Sequence, residues 1–362
     1  MQEMSSRERL INAIEGNEID RIPFSPFLAY VWESFPESIQ NKGELNFYNM
    51  VGADPLWRGS VCPVKCEIPE LKEKTYEKGN KIIKETITPV GTMTSHHIRS
   101  EKGNTDFLVE HPLKNEEDYK IQLWIEEHKK YSRNYKEVRE HLDNEGSQGL
   151  SLGMLFPRSK TAFQSMVEHY VGTEELIYAL YDYPDTVETL HNQMMENDLK
   201  AAEMAVESPY DYFITWEDSS TTNYSPDMYK KYIGTEINQI CSLLSEYDKS
   251  YIQHACGHVK DILPIMKENG VMAVESISPV PTGNITLKET RKIAGDNFGI
   301  IGGIEPTKFL NLPPVQLKEY VKKVLKDGSG GSFTLANSDS CPPGVTVEKF
   351  KLVAEVAKEY RI

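Results

Sequence analysis

From residue 149 onward, short apolar stretches alternate with longer amphipathic ones, and this alternation constrains the fold more than any other feature. The strand-like stretches lie at 149–156, 210–216, 250–253, 271–275, 298–301 and 332–335. Strands that alternate with helices indicate a parallel sheet. Two earlier β elements, at 20–27 and 55–62, bring the count to eight. We therefore predict an α/β fold, a (β/α)8 TIM barrel, with a doubly wound open sheet as the alternative.

Residues 66–110 follow a different pattern. They alternate polar and apolar residues, contain turn dipeptides and lack a helical period. Such a pattern predicts a β-hairpin insertion. We expect it to lie within one barrel domain that spans residues 1–362. The chain contains neither a GxGxxG fingerprint nor a GxxxxGK[ST] loop, which argues against nucleotide binding.

Charge and cysteine content narrow the function classes. The net charge is −15, so the surface is poorly suited to nucleic acid or an anionic membrane. No apolar run approaches the roughly 20 residues that span a bilayer. Five cysteines, an odd number in a large chain, favour a reducing cytoplasm over a disulfide framework.

Polar residues, residues that can bind metal and glycines directly follow the predicted strands. They are Glu217, Asp218, His254, Cys256, Glu275, Gly302, Gly303, Asn337, Asp339 and Cys341. In a (β/α)8 barrel the carboxyl ends of the strands form the mouth of the active site. We therefore expect these residues to share one rim.

His254 and Cys256 indicate a metal site, because imidazole and thiolate together suit zinc. Cys341 is the candidate third ligand, and Asp339 competes with it. Three protein ligands would leave one open position, as in catalytic zinc sites. Asp339, Glu217 or Asp218 could occupy that position in a resting state.

The remaining rim residues have less specific predictions. Glu217 and Asp218 are adjacent, so only one of them faces the barrel interior if the strand continues. Glu275 either binds substrate or neutralises a nearby cation. The side chains expected to line the substrate pocket are Tyr30, Met154, Phe156, Trp216 and His258, the last at the start of a helix.

Several motifs, in order along nearly the whole chain, resemble the uroporphyrinogen decarboxylase superfamily. They are Ser5-Ser-Arg-Glu-Arg, Asp20-Arg-Ile-Pro, Val51-Gly-Ala-Asp-Pro, Trp216-Glu-Asp with Ser225-Pro, His254-Ala-Cys-Gly, Gly302-Gly-Ile-Glu-Pro and Pro342-Pro-Gly. The resemblance implies a (β/α)8 barrel. It also implies one of two chemistries, either cofactor-free decarboxylation or corrinoid-dependent methyl transfer.

The two branches differ in motifs that can be compared with this chain. True decarboxylases carry an Arg-Gln-Ala-Gly-Arg-Tyr stretch after the first strand. Here residues 25–30 read Ser-Pro-Phe-Leu-Ala-Tyr, without an arginine. Methylcobamide-dependent methyltransferases carry His-x-Cys and a distant Cys as zinc ligands. His254 and Cys256 match that motif, whereas Asp339 stands where the distant Cys is expected.

The resemblance therefore predicts a zinc-dependent methyltransferase. It would move a methyl group between a corrinoid (cobalamin) carried by a partner protein and a small thiol, methoxy or methylamine substrate. The alternatives are a decarboxylase of porphyrinogen metabolism and a non-catalytic corrinoid- or ligand-binding barrel. A homodimer is also expected from the fold family.

Overall fold

A computed structural model describes residues 3–100 and 105–360. The strands in these ranges are β1 (Leu56–Ser60), β2 (Val64–Glu67), β3 (Lys72–Lys78), β4 (Lys81–Thr88), β5 (Gly91–Arg99), β6 (Asp106–Glu110), β7 (Lys130–Arg133), β8 (Leu150–Met154), β9 (Tyr212–Trp216), β10 (Ser250–His254), β11 (Ala273–Ile277), β12 (Gly299–Ile304) and β13 (Phe333–Asn337). The α-helices are α1 (Ser6–Glu15), α2 (Ala29–Trp32), α3 (Glu37–Gln40), α4 (Glu44–Val51), α5 (Glu116–Glu127), α6 (Tyr135–Asn144), α7 (Ala162–Ser165), α8 (Thr173–Asp182), α9 (Pro184–Ala205), α10 (Pro226–Met228), α11 (Thr235–Glu246), α12 (Leu263–Glu268), α13 (Leu287–Ala294), α14 (Pro306–Asn311), α15 (Pro314–Gly328) and α16 (Val347–Glu359).

The main sheet has seven strands in the order β1-β8-β9-β10-β11-β12-β13. Every neighbouring pair in it is parallel. Strand β8 and the five later strands are those predicted from the alternation after residue 149. The predicted α/β class with a parallel sheet is confirmed.

The element predicted at residues 20–27 is a single bridge instead of a strand. Phe24 pairs in parallel with Leu335 of β13, and its carbonyl accepts from Asp54 N at 2.7 Å, just before β1. Phe24 thus contacts segments at both edges of the sheet. Pro23 and Pro26 flank this bridge and lack the N–H that a longer ladder would need. Asn337 compensates, because its side chain bonds both N–H and carbonyl of Phe27, each at 2.9 Å.

One face of the sheet buries an apolar cluster together with α1. The cluster draws on every strand of the main sheet and on α1, through Leu10, Ile14, Leu56, Leu150, Leu152, Tyr212, Ile214, Ile252, Ala273, Ile301 and Ala336. The opposite face packs against the outer helices in a larger cluster. Helix α1 is well defined at its ends, because Ser5 and Glu8 form a capping box and Gly16 ends it at φ 77°.

A buried ion network ties α1 to the loops beneath the sheet. Arg9 bonds Asp54 at 2.6 Å and Asp20 at 2.7 Å, and Arg21 bonds Asp54 at 2.7 Å. Asp54 also accepts from Phe24 N at 3.1 Å. These charges come from the first three sequence motifs. The structure therefore explains these motifs, because each carboxylate of this network forms an ion pair with at least one of its guanidinium groups.

The region after β1 is larger than the predicted hairpin. Strands β3 to β6 form a four-stranded antiparallel sheet, and β2 pairs antiparallel with β7 outside the predicted range 66–110. Two-residue turns at 79–80 and 89–90 join β3 to β4 and β4 to β5, so the turn dipeptides mark two hairpins and not one. Residues 101–104 of the predicted insertion lie outside the described residues.

Two helix predictions differ from the structure. The sequence pattern predicts one helix at about 160–182, but the structure divides this stretch into α7, a π-helical turn at Met166–Tyr170 and α8. His258 was predicted to begin a helix, but α12 begins at Leu263 and His258 lies in the preceding loop. In the described ranges, no helix has both the length and the apolar character needed to cross a membrane.

Candidate metal centre

Three predicted rim residues converge at the carboxyl ends of β9 and β10. Ligand atoms of Asp218, His254 and Cys256 all lie within 4.8 Å of one another. Asp218 Oδ1 is 3.1 Å from His254 Nε2 and accepts from the Cys256 thiol at 3.2 Å. The register places His254 directly beside Trp216, so the turn after β9 meets the turn after β10.

Glu275 fixes the orientation of the His254 ring. Its carboxylate bonds His254 Nδ1 from the adjacent strand β11. Arg58 of β1 donates through Nε to the same carboxylate at 3.0 Å, and both side chains are fully buried. Because Nδ1 is hydrogen-bonded to Glu275, the Nε2 atom faces Asp218 and Cys256.

An aromatic wall packs against His254. Trp216 meets its ring edge-on at 5.0 Å between centroids, and Phe27 stacks on Trp216 at 5.4 Å. The Arg58 guanidinium lies over Phe27, 5.3 Å from the ring centroid. This column leaves the imidazole little freedom to rotate.

Glu217 and Asp218 point in different directions, although β9 ends at Trp216, before both of them. The Glu217 carboxylate is buried and accepts from Thr161 N at 2.9 Å, Thr161 Oγ1 at 2.7 Å and Thr215 Oγ1 at 2.7 Å. Asp218 faces the cluster, with 34 % of its side chain exposed. Glu217 therefore anchors the turn, and Asp218 is available for chemistry.

Gly257 allows the loop after β10 to approach the loop after β9. A Cβ at this position would lie 2.4 Å from Ser220 Cβ and 2.8 Å from Ser219 O. Any side chain would push the two loops apart. The glycine of the His254-Ala-Cys-Gly motif thus maintains the spacing of Cys256 and Asp218.

Backbone strain is concentrated around the cluster. Six non-glycine residues in the described part have a positive φ. Four of them adjoin the site, namely Ser159, Asp218, Ser276 and Asp339. Residues held in this region of conformational space occur preferentially at functional sites.

Burial and charge set the protonation of the cluster. Burial raises the pKa of the Cys256 thiol to about 11, so without a nearby cation it is a neutral thiol at pH 7. Burial opposes charge on His254, but Glu275 and Asp218 outweigh it and raise the pKa of His254. Likewise, His254 and Lys160 overcome the burial of Asp218 and lower its pKa. The cluster therefore favours bound positive charge.

The residues fit a zinc ion. Imidazole nitrogen, thiolate sulfur and carboxylate oxygen are all donors that zinc binds in proteins, and three protein ligands leave a position for substrate. Glu275 hydrogen-bonded to His254 is the carboxylate–histidine arrangement that orients such ligands. A divalent cation would also lower the pKa of the thiol.

The predicted third ligands are placed differently. In the described residues the cluster includes neither Cys341 nor Asp339. Cys341 is fully buried in the large apolar cluster, where burial raises the pKa of its thiol. Its N–H donates to Phe27 O at 3.2 Å, which holds the residue against that segment. Asp339 is half-buried, and its carboxylate accepts from Ser340 N at 2.6 Å. The third residue of the cluster, beside His254 and Cys256, is Asp218.

Of the predicted pocket residues, Met154 and Trp216 lie together beside Gly59 of β1. Trp216 forms part of the aromatic wall. Met154 is buried at the end of β8, and Phe156 lies fully inside the large apolar cluster. Tyr30 is 56 % exposed on α2. His258 is held by its backbone, whose N–H donates to Ser220 Oγ at 3.0 Å.

Three residues beside the cluster were not identified from the sequence: Phe27, Arg58 and Lys160. Lys160 follows β8, so the strand-end rule that selected His254 would also have selected it. Arg58 is a charged residue inside an apolar strand, which is itself a signal for a buried partner. Phe27 carries no sequence signal of this kind.

Comparisons with known proteins agree with the fold. The family described as Uroporphyrinogen decarboxylase (URO-D) matches residues 159–360. A methyltransferase from Methanosarcina mazei is similar in structure, with a TM-score of 0.64, 14% identity and 99% of both chains covered. A B12-independent methionine synthase from Shewanella sp. W3-18-1, in complex with selenomethionine, has a TM-score of 0.48 and 11% identity over 94% of this chain and 97% of that chain. No curated protein sequence matches significantly.

Proposed function

The chain belongs to the uroporphyrinogen decarboxylase (URO-D) family, and from that premise we propose that it is a zinc-dependent methyltransferase. It exchanges a methyl group between a corrinoid carried by a partner protein and a small thiol, methoxy or methylamine substrate. We further propose that the Phe24 bridge closes the sheet into a (β/α)8 barrel. The zinc ligands Asp218, His254 and Cys256 then lie at its mouth.

The observation that carries this proposal is the convergence of those three ligand atoms within 4.8 Å. Two features distinguish this cluster from acidic residues that lie close together on a surface by chance. His254 is almost fully buried, and its second nitrogen is bonded to a buried carboxylate. Both features are typical of built metal sites.

Each residue has a defined part in the proposed chemistry. Glu275 keeps a proton on His254 Nδ1, so that Nε2 is free to bind metal. Phe27 and Trp216 shield one side of the imidazole from water. When bound, zinc would supply Lewis acidity, which lowers the pKa of a thiol or polarises a methoxy or amine group. The third ligand, Asp218, makes this zinc harder than a second thiolate would.

The site is poorly suited to a polycarboxylate such as a porphyrinogen. The cations described beside the cluster, Arg58 and Lys160, are already paired with Glu275 and Asp218. Residues 25–30 add no arginine. Recognition of several carboxylates needs unpaired guanidinium or ammonium groups.

Methyl transfer from methylcobalamin to a panel of small thiols, and from methoxy and methylamine donors to cob(I)alamin, tests the proposal. We expect turnover by the zinc-loaded protein and a loss of at least about 100-fold in Cys256→Ala. Cys241→Ala is the matched control, because Cys241 is also buried but lies on α11. Decarboxylation of uroporphyrinogen III without methyl transfer would contradict the proposal.

A further inference from the structure

Two three-residue segments dock side by side at the candidate metal centre. We call residues 159–161 the clasp and residues 216–218 the ligand turn. Ser159 O accepts from Trp216 N at 2.7 Å, which extends the pairing of β9 beyond its partner strand. Thr161 holds the Glu217 carboxylate through its N–H at 2.9 Å and its hydroxyl at 2.7 Å. The clasp thus contacts both residues that precede Asp218 in the ligand turn.

Lys160 lies between these two contacts and is 7 % exposed. Its ammonium donates to Trp216 O and to Asp218 Oδ2, and it pairs with Glu168 Oε2 at 2.9 Å. An ammonium has three N–H donors and no acceptor, so these three partners satisfy it completely. Glu168 lies on the π-helical turn Met166–Tyr170, an irregularity that is frequent at functional sites.

The contacts of Lys160 select which oxygen of Asp218 faces the cluster. Oδ2 is bound to the ammonium, whereas Oδ1 faces His254 Nε2 at 3.1 Å and the Cys256 thiol at 3.2 Å. A carboxylate on an exposed turn would otherwise rotate among several rotamers. The lysine removes that freedom on the side away from the cluster.

The backbone on both sides of this contact is strained. Ser159 has φ 64° and Asp218 has φ 35°, a region that non-glycine residues rarely adopt. Such conformations persist only where surrounding contacts enforce them. The clasp supplies those contacts, because it bonds the ligand turn at three consecutive residues.

We propose that Lys160 is a positioning residue that holds Asp218 as a single-oxygen metal ligand. This inference rests on the proposed metal site but concerns a residue outside the ligand set. Lys160 keeps Oδ1 directed at the position shared with His254 and Cys256, and it offsets the charge of the carboxylate in a buried setting. It does not itself touch the metal.

The test compares metal binding in Lys160→Met with that in the parent protein. Met has a similar length without the charge. We expect Zn²⁺ and Co²⁺ affinity to fall about 10- to 100-fold, the usual effect of removing a group that orients a metal ligand. The visible absorption of the Co²⁺ form should also change, because the coordination of Asp218 changes.

Lys249→Met is the matched control. Lys249 also donates to backbone carbonyls, those of Ser208 at 3.0 Å and Tyr210, at the opposite end of β9. It should lower stability without altering Co²⁺ affinity or absorption. Lys160→Met combined with Asp218→Asn should bind metal no more weakly than Asp218→Asn alone, because Lys160 acts through Asp218.

The outcomes separate this inference from the proposed function. If Asp218→Asn loses affinity and Lys160→Met stays within twofold of the parent, the role of Lys160 is overturned and the metal site stands. If Asp218→Asn and Cys256→Ala both bind as the parent does, the proposed site itself fails. If Lys160→Met and Lys160→Gln both fail to fold while Lys249→Met folds, Lys160 serves the fold and the inference is overturned.

Discussion

Glu275→Gln should weaken zinc binding although Glu275 is not a predicted ligand. In the parent, one carboxylate oxygen accepts from His254 Nδ1 and the other accepts from Arg58 Nε at 3.0 Å. Glutamine has only one acceptor oxygen, and its amide group is a donor. The amide must therefore face either Arg58 or His254, and one of these donors loses its acceptor.

The size of the effect on zinc affinity and stability depends on which donor, His254 Nδ1 or Arg58 Nε, loses its acceptor. If the amide faces His254, Nδ1 must accept and the proton moves to Nε2, the nitrogen needed for metal. If the amide faces Arg58, a guanidinium that is 1 % exposed loses its hydrogen-bond acceptor, and in both orientations it loses its counter-ion. We expect zinc affinity to fall about 10- to 100-fold, equivalent to about 1.4–2.7 kcal/mol. The metal-free variant should also lose about 3 kcal/mol in unfolding free energy.

Competition with a chromophoric chelator measures the affinity, and urea unfolding in the presence of a chelator measures the stability. Glu77→Gln is a suitable control, because Glu77 pairs with Arg99 on an exposed part of β3. Zinc affinity of Glu275→Gln within twofold of the parent would refute the claim that Glu275 orients His254.

Three further predictions concern other parts of the chain. Arg9 lowers the pKa of Asp20 from 3.8 to about 2. This ion pair should therefore contribute about 2 kcal/mol to the unfolding free energy above pH 4, and the contribution should disappear as the pH falls through 2. The difference in unfolding free energy between the parent and Asp20→Asn should shrink over that range. Cys341→Ala should lower the unfolding free energy by about 1–2 kcal/mol, measured by thermal unfolding, but leave the zinc content unchanged. Loss of zinc in this variant would show that Cys341 is a zinc ligand. Asp54→Ala should lower the urea unfolding free energy by about 3 kcal/mol, because Arg9 and Arg21 lose a shared buried acceptor, whereas a change below 1 kcal/mol would contradict the structural role of this network.

The sequence predicts the strands of the main sheet well where each is a compact apolar run. A buried parallel strand such as β12 is apolar on both faces and stands out between helices. The element predicted at 20–27 forms only a single bridge, because Pro23 and Pro26 restrict pairing to one residue. The size of the region after β1 was also underestimated, since one pair of strands joins β2 to the distant β7.

The candidate site is predictable to the extent that it follows strand ends. His254 is the last residue of β10 and Asp218 lies two residues beyond β9, so the rim rule finds them, whereas Glu275 is the central residue of β11. The choice of Asp218 over Cys341 depends on a turn with φ 35° and on which way a buried thiol points. Neither property produces a periodic pattern in the sequence, because both are set by contacts between segments that are distant in the chain.

The central claim is that Asp218, His254 and Cys256 hold one zinc ion. Zinc K-edge X-ray absorption of the protein loaded with one equivalent of Zn²⁺ tests it most directly. We predict one sulfur ligand at about 2.3 Å, with the remaining nitrogen and oxygen ligands at about 2.0–2.2 Å. In Asp218→Asn and Cys256→Ala the bound zinc should be lost or its first shell altered. Two sulfur ligands in the parent, or no retained zinc, would contradict the account.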